Sequence, residues 1–302
     1  MKKWIVGLAT LLLATTLAAC SSGTVANMKG AKITKDEFYN EMKDSTTGQS
    51  TLRNMIVLKA LEQQYGDKVS DKKVTKQYNK IKANYGTSFS SVLQQSGYTT
   101  KSFKEQVKTS LLSEVALKDL KKPTQKQIKK QWAKYQPKIT VQHILVKKES
   151  TAKTIIAELK KDNSEANFKK LAKKYSTDTA TASDAGKIPA FDNTDTQLDA
   201  TFKKAAFALK QGTYTTTPVK TSYGYHVIRS IKNPGKGNMS DHTATLKKQL
   251  YTTWQSDTTV MTSIMKKVLK KANVSIKDND LKDVLSVYLD SSSSAASTSA
   301  AN

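Results

Sequence analysis

Cysteine is nearly absent: the 302 residues hold one, Cys20. That excludes a disulfide framework and any multi-cysteine metal site. Histidine is scarce, with His143, His226 and His242 the whole supply, so a histidine-based zinc site is poorly provided with ligands. Lys and Arg total 50, yet only Arg53 and Arg229 are arginines. Nucleic-acid readers favour Arg for bidentate contacts to guanine and phosphate, so nucleic acid is not the expected partner. Hydrophobic residues make up 37%, below the roughly 45–50% of compact soluble chains. This argues against one large dense core, and for helices with wide polar faces or tails that stay unfolded. The apolar run from Trp4 to Ala19 is shorter than the ~20 residues that span a membrane comfortably.

What is abundant is lysine. Asp and Glu number 25, so the formal net charge is +25. The lysines are spread along helical stretches (Lys72, Lys73, Lys129, Lys130, Lys173, Lys174), which reads as solvated helix faces. Attraction to an anionic lipid or cell-wall surface is the functional alternative. The chain opens Met1-Lys2-Lys3, and its apolar run ends Leu17-Ala18-Ala19-Cys20. A positive start, a short apolar stretch and small residues describe a secretory signal. The segment resembles a bacterial lipobox, which implies cleavage after Ala19 and diacylglycerol on the Cys20 thiol. An ordinary secretory signal with an incidental cysteine is the alternative, but the sole cysteine stands where a lipobox needs it. Two or three acyl chains, at about 0.8 kcal/mol per buried methylene, hold a protein firmly in a bilayer. The implied location is the extracytoplasmic face of the cell membrane.

The length suits about two domains. After the signal (1–19), residues 20–34 read as lipidated cysteine and tether. Residues 35–137 show helical spacing: Leu52, Met55, Ile56, Leu61 and Tyr65 up to Gly66, then Val74, Tyr78, Ile81 and Tyr85 up to Gly86. Thr124 stands three before Gln127, a capping box opening a short helix. From 138 the period becomes two, with Ile139, Val141, His143 and Leu145 alternating with their neighbours. Two amphipathic helices, a weak strand at Lys187–Phe191, another helix and a hairpin around Tyr223-Gly224 follow. The order β-α-α-β-α-β-β over 138–232 is a compact α+β domain. Residues 233–240 form a Pro/Gly linker. Leu246, Leu250, Trp254, Met261, Ile264, Met265 and Val268 mark one further long helix within 241–280. Its stripe is expected to pack on the Val74 stripe, so that both ends build a mainly helical domain into which the α+β unit is inserted. Residues 281–302, ending in Ser, Ala and Thr, read as mostly disordered.

Over 138–232 the sequence resembles the parvulin family of peptidyl-prolyl isomerases. The likeness is carried by Val141-Gln142-His143-Ile144-Leu145-Val146, Tyr175-Ser176-Thr177-Asp178, the helix Phe202 to Leu209, and Thr221-Ser222-Tyr223-Gly224-Tyr225-His226-Val227-Ile228. The layout of the whole chain resembles a PrsA-type lipoprotein foldase. One departure stands out: the family's Gly-Asp-Leu-Gly is here Gly186-Lys187-Ile188-Pro189, and proline fixes φ and removes a donor.

The resemblance implies rotation about X–Pro bonds, with no cofactor and no metal. It places His143, Asp178, His226 and Thr221 in a hydrogen-bonded catalytic network, and Leu198, Phe202 and Phe191 around the proline ring. Each has a plainer reading: a strand histidine in the core, Asp178 as turn-former or cap, Phe202 as core. His242 is assigned no role. The expected partners are unfolded or partly folded secreted proteins with X–Pro bonds, and membrane lipid through acylated Cys20. A holdase whose isomerase domain is weak or silent is the alternative.

Overall fold

The computed structural model describes residues 23–289; the signal segment and Cys20 lie outside them. The described residues begin with a two-stranded antiparallel hairpin, β1 (Thr24–Met28) and β2 (Ala31–Thr34). Helices α1 (Lys35–Asp44), α2 (Thr46–Tyr65), α3 (Asp71–Tyr85), α4 (Phe89–Gln95), α5 (Thr100–Leu120) and α6 (Gln125–Lys134) follow. Then come β3 (Thr140–Val146), α7 (Glu149–Lys161), α8 (Glu165–Tyr175), the one-turn α9 (Thr179–Ala182), α10 (Ala200–Ala208), β4 (Val219–Thr221) and β5 (Gly224–Lys232). The last helices are α11 (Met239–Ser256), α12 (Thr258–Lys271) and α13 (Ser286–Leu289). The fold is α+β. Among the described residues, no helix is long and apolar enough to cross a membrane.

Two compact units divide the chain: residues up to 116 with those from 259 on, and residues 117–258. In the first, Val57, Leu61 and Tyr65 of α2 and Val74 and Tyr78 of α3 are buried. The amide of Gln64 donates to the Val268 carbonyl, and Arg53 Nε donates to that of Val284, so C-terminal segments lie on α2. Three departures from the sequence reading occur outside the α+β domain. Residues 24–34 form a hairpin rather than a tether, turned at Gly30 with φ +83°. The expected single C-terminal helix breaks at Asp257, whose extended backbone (ψ 108°) separates α11 from α12. Residues 281–289 are ordered, because Leu281, Val284 and Leu285 are buried in a 3₁₀ segment, Asn279–Leu285.

The second unit is built on a three-stranded antiparallel sheet of order β3-β5-β4. Alternation sorts its faces. Ile144, Val146 and Val227 point to one side and pack with Ile155, Ile156 and Leu159 of α7 and Phe168 and Leu171 of α8. Val141 and Ile228 point to the other, against Phe202 and Ala206 of α10. The expected strand at Lys187–Phe191 is instead an irregular segment on the free edge of β3, joined by isolated bridges at Gln142↔Lys187 and Ile139↔Phe191.

The buried stripe of α11 has its partners in α6. Leu246 is buried with Ile128 and Tyr135, next to the α6 capping box, which forms as the spacing predicts. Gln249 accepts from Gln131 (2.8 Å) and donates to Asn193 (3.3 Å), tying α11 to α6 and to the α+β domain. The reason is chain geometry: α6 and α11 border the inserted domain on either side, so they are the first apolar faces to meet. Leu246→Ala should lower the unfolding free energy by about 2–5 kcal/mol, the range for a buried Leu left as a cavity. Urea unfolding followed by circular dichroism would measure it, and an unchanged midpoint would mean that α11 is not held on α6.

Candidate active site

The site sits on the α10 face of the sheet. His143 of β3 and His226 of β5 are diagonal neighbours, since His143 pairs with Ile228 and Leu145 with His226. Residues at such positions are within reach of one another. Their rings stack at 5.4 Å, and Nδ1 faces Nδ1 at 3.1 Å.

The chain brings Asp178 to this pair by running along β3. Leu145 N donates to Ser176 Oγ, and Thr177 N donates back to the Leu145 carbonyl at 2.7 Å. Asp178 then caps α9, accepting from Ala180 N through Oδ1, while Oδ2 faces His143 Nε2 at 2.8 Å. Further on, the Gly186 carbonyl accepts from His143 N at 2.8 Å. A Cβ at Gly186 would lie 1.9 Å from the His143 carbonyl oxygen, and φ is +71°, so only glycine fits. Pro189 removes no bond to β3, which is bonded through Gly186, Ile188 and Phe191, and Pro189 itself is exposed.

Chemistry assigns the protons. The Asp178 carboxylate only accepts, so His143 Nε2 donates to it. His143 Nδ1 then accepts from His226 Nδ1–H, leaving His226 Nε2 to accept from the Thr221 hydroxyl at 2.8 Å. The chain Thr221–His226–His143–Asp178 runs in one direction with both rings neutral. Thr181, which the sequence reading passed over, completes it: its hydroxyl donates to Asp178 Oδ2 at 2.6 Å and lies 3.2 Å from His143 Nε2. Thr177, Thr179 and Thr181 look alike in the sequence; only the one-turn helix selects the third.

Electrostatics agree with this arrangement. Burial holds His226 down to about 4, with the neighbouring His143 acting the same way. Burial also lowers His143, against the opposing pull of Asp178. Asp178 is raised by burial, but hydrogen bonds from Thr181 and His143 outweigh that and leave it below the ordinary carboxylate value.

The apolar residues converge as well. The Phe202 ring stands edge-on to both imidazoles, 5.6 Å from His143 and 5.2 Å from His226, and 6.4 Å from Phe191. Asp199 caps α10 through Phe202 N, and Asp195 accepts from Leu198 N, which sets both side chains. Phe202 and Phe191 are 3% and 4% exposed, so Leu198, half-buried, is the member open to solvent. His242 lies elsewhere, stacked on Trp132 at 5.8 Å, tilted against Tyr135 and hydrogen-bonded with the Tyr135 hydroxyl at 3.0 Å.

Residues 133–232 match the PPIC-type PPIase domain family. The chain is 59% identical over 288 residues to a foldase protein PrsA of Latilactobacillus sakei, covering 95% of each chain. It is also 59% identical over 297 residues to a foldase protein PrsA of Lactiplantibacillus plantarum, covering 98% of this chain and all of that one. The chain belongs to the PrsA foldase family. The crystal structure of the PrsA foldase of Streptococcus pneumoniae superposes with a TM-score of 0.73 at 33% identity, covering 88% of this chain and 100% of that one. The family assignment makes the chain a peptidyl-prolyl isomerase that acts on unfolded protein.

The His226 shift has a testable sign. Unfolded, the ring takes its proton near 6.5; folded, only at about 4. Between these values the unfolded chain binds more protons, so stability falls as pH drops from 6.5 towards 4 and is level above. At about 1.4 kcal/mol per pKa unit, this group alone contributes up to about 3 kcal/mol. Thermal melts should show the fall, and His226→Asn should flatten it. A wild-type melting temperature constant between these pH values would mean that His226 is charged in the fold.

Proposed function

We propose that Thr221, His226, His143 and Asp178 form the polar floor on which a peptidyl-prolyl amide twists, with Leu198, Phe202 and Phe191 receiving the proline ring. The observation that carries this reading is the closed hydrogen-bonded chain directly beneath an aromatic cluster. Rotation opposes a resonance barrier of about 18–20 kcal/mol and transfers no proton. What lowers it is an apolar seat that desolvates the amide and fixed dipoles that fit its altered charge distribution. Neutral imidazoles held in one tautomer supply such dipoles without reorganising. Thr181 acts through Asp178, keeping the carboxylate turned to His143.

Kinetics of a proline-limited substrate test the assignment. Asp178→Ala should lower kcat on the order of tenfold with little change in KM, since its effect falls on the transition state. Thr181→Val should do the same to a smaller degree, and Thr181→Ser should restore the rate. Phe202→Ala should raise KM and lower kcat, with a melt alongside because the ring is buried. Full activity in a folded Asp178→Ala, His143→Ala, His226→Ala variant would leave the polar floor without a catalytic part.

The same reading extends to where the chain works: a lipid-anchored foldase outside the cytoplasm, assisting secreted proteins after translocation. The lipobox-like Leu17-Ala18-Ala19-Cys20 supports it. Cys20→Ala should remove lipid and weaken membrane retention. Parent and variant retained to the same extent at high salt would refute the anchor, because salt screens the +25 charge and the comparison isolates the acyl chains. A holdase contribution is favoured by a separate feature, a cavity of about 980 Å³ in the first unit, between α2, α3 and α5, reached by Met55, Leu58 and Val74.

A further inference from the structure

We propose that the N-terminal hairpin is a lipid-contacting element: β1, β2 and the first turn of α1 lie on an anionic bilayer, with Val25, Met28, Ile33 and Phe38 in the headgroup layer and Lys29, Lys32 and Lys35 on its phosphates. The inference rests on reading Cys20 as the acylated residue.

Three observations carry it. The first is the concentration of exposed apolar surface. Of the twelve large hydrophobic side chains exposed among the described residues, five (Val25, Met28, Ile33, Phe38 and Tyr39) fall within fifteen consecutive positions. Scattered exposed apolar residues need no explanation, but a cluster does. Val25, Met28 and Phe38 are each more than half exposed. The hairpin register puts Met28 opposite Ala31 and Ile33 opposite Ala26, so these four share one face; Val25 lies at the register shift between Thr24 and Ala26, and Lys32, paired with Asn27, starts from the other face and reaches the phosphates only along its flexible stem.

The second is reach. Gly23 is fixed to the fold, its carbonyl accepting from Lys35 N at 2.9 Å. Three residue steps separate it from Cys20, so the two lie at most roughly 10 Å apart. The polar layer on each side of a bilayer is about 5–7 Å thick. An acyl-bearing Cys20 therefore leaves the open end of the hairpin at the headgroups, and its remaining length, roughly 15 Å, within reach of them.

The third is charge. No acidic residue precedes Asp36, while Lys29, Lys32 and Lys35 are all exposed. Glu37, the second acid, is turned back onto Thr34 N in the α1 capping box. A basic residue near an anionic surface contributes about 1 kcal/mol, and lysine stems lie along apolar surface while their charges reach outward. Val25, Met28 and Ile33, with lysines between them and no acid before Asp36, fit an anionic lipid surface; Asp36 and Glu37 stand only between Ile33 and Phe38.

The polypeptide from Ser21 to Asn302, prepared without lipid, tests this by co-flotation with vesicles. One set contains equal parts phosphatidylglycerol and phosphatidylcholine, the other phosphatidylcholine alone. Binding to the anionic set is expected, with a part that persists at high salt. Val25→Ser, Met28→Ser, Ile33→Ser and Phe38→Ser together should reduce that persistent part about tenfold. Lys29→Gln, Lys32→Gln and Lys35→Gln should weaken binding at low salt by about tenfold or more, although they leave most of the chain's basic residues in place. Circular dichroism and isomerase activity should stay at the parent level in both. Equal binding of the parent and the serine variant would overturn the proposal, as would a parent that ignores anionic vesicles. A parent that sediments as a dimer while the serine variant is monomeric would overturn it too, assigning the face to a second copy. Mass spectrometry of Cys20 from membranes reads the anchor separately: an unmodified thiol removes the anchor while vesicle binding still decides the hairpin.

Discussion

The Nδ1···Nδ1 contact between His143 and His226 constrains everything around it. Two such nitrogens can approach to 3.1 Å only with one proton between them. Each ring's other nitrogen must then complement that choice, and the carboxylate at one end sets the direction of the whole series. If His143 is protonated, the pair can adapt: the charged ring donates to His226 Nδ1, and His226 Nε2 turns donor towards Thr221. A second proton has no place, because both Nδ1 atoms would then carry hydrogen. Burial of both rings and the depressed affinity of His226 for protons are the same fact seen from solvation. The site is thus a fixed array of dipoles with one carboxylate at its end. That suits a reaction in which an amide changes shape and no group is transferred.

Holding this contact requires β3 to be committed on both edges. One edge pairs with β5, which supplies the diagonal that brings the two histidines together. The other is lined by the segment 176–191, fixed at Leu145, His143, Val141 and Ile139 in turn. Asp178 lies near the start of that segment and Phe191 at its end, so one excursion along the strand edge delivers both the carboxylate and an aromatic wall. The positive φ at Ala185 and Gly186 belongs to the same excursion, where the chain turns back against the His143 backbone. Such backbone cost is tolerated where the surrounding bonds over-determine it.

Much of this was legible because period two and period 3.6 are easily told apart where side chains alternate cleanly. The stretch Ile139 to Val146 shows a strand with one histidine, and the resemblance of Tyr225-His226-Val227-Ile228 supplies the other. What stayed hidden obeys weaker signals. Thr181 is one of several threonines in a polar run, and only the turn after Asp178 aims it. The hairpin at 24–34 has short strands whose apolar residues face outward, so no buried stripe announces it. Asp257 interrupts a stripe that keeps its helical spacing on both sides, since Trp254 and Met261 are two turns apart. Leu281, Val284 and Leu285 are too few to stand out before a Ser- and Ala-rich end.

Access to the aromatic seat is the remaining physical question, and the burial pattern bears on it. Phe202 and Phe191 are almost wholly covered, whereas Leu198 is half open and set by the Asp195 turn. On the proposed reading, a proline ring entering over Leu198 meets one flexible aliphatic side chain before it meets the aromatic edge. Phe202 cannot recede, because its ring is wedged edge-on against both imidazoles and its helix is capped at Asp199. On that reading the seat opens from the Leu198 side, and apolar contact and polar contact are linked through one ring. Any displacement of Phe202 by substrate presses on the His143–His226 pair, whose single shared proton leaves it little freedom to yield. Rigidity of the floor and selectivity for a small ring are, in this arrangement, consequences of the same contact.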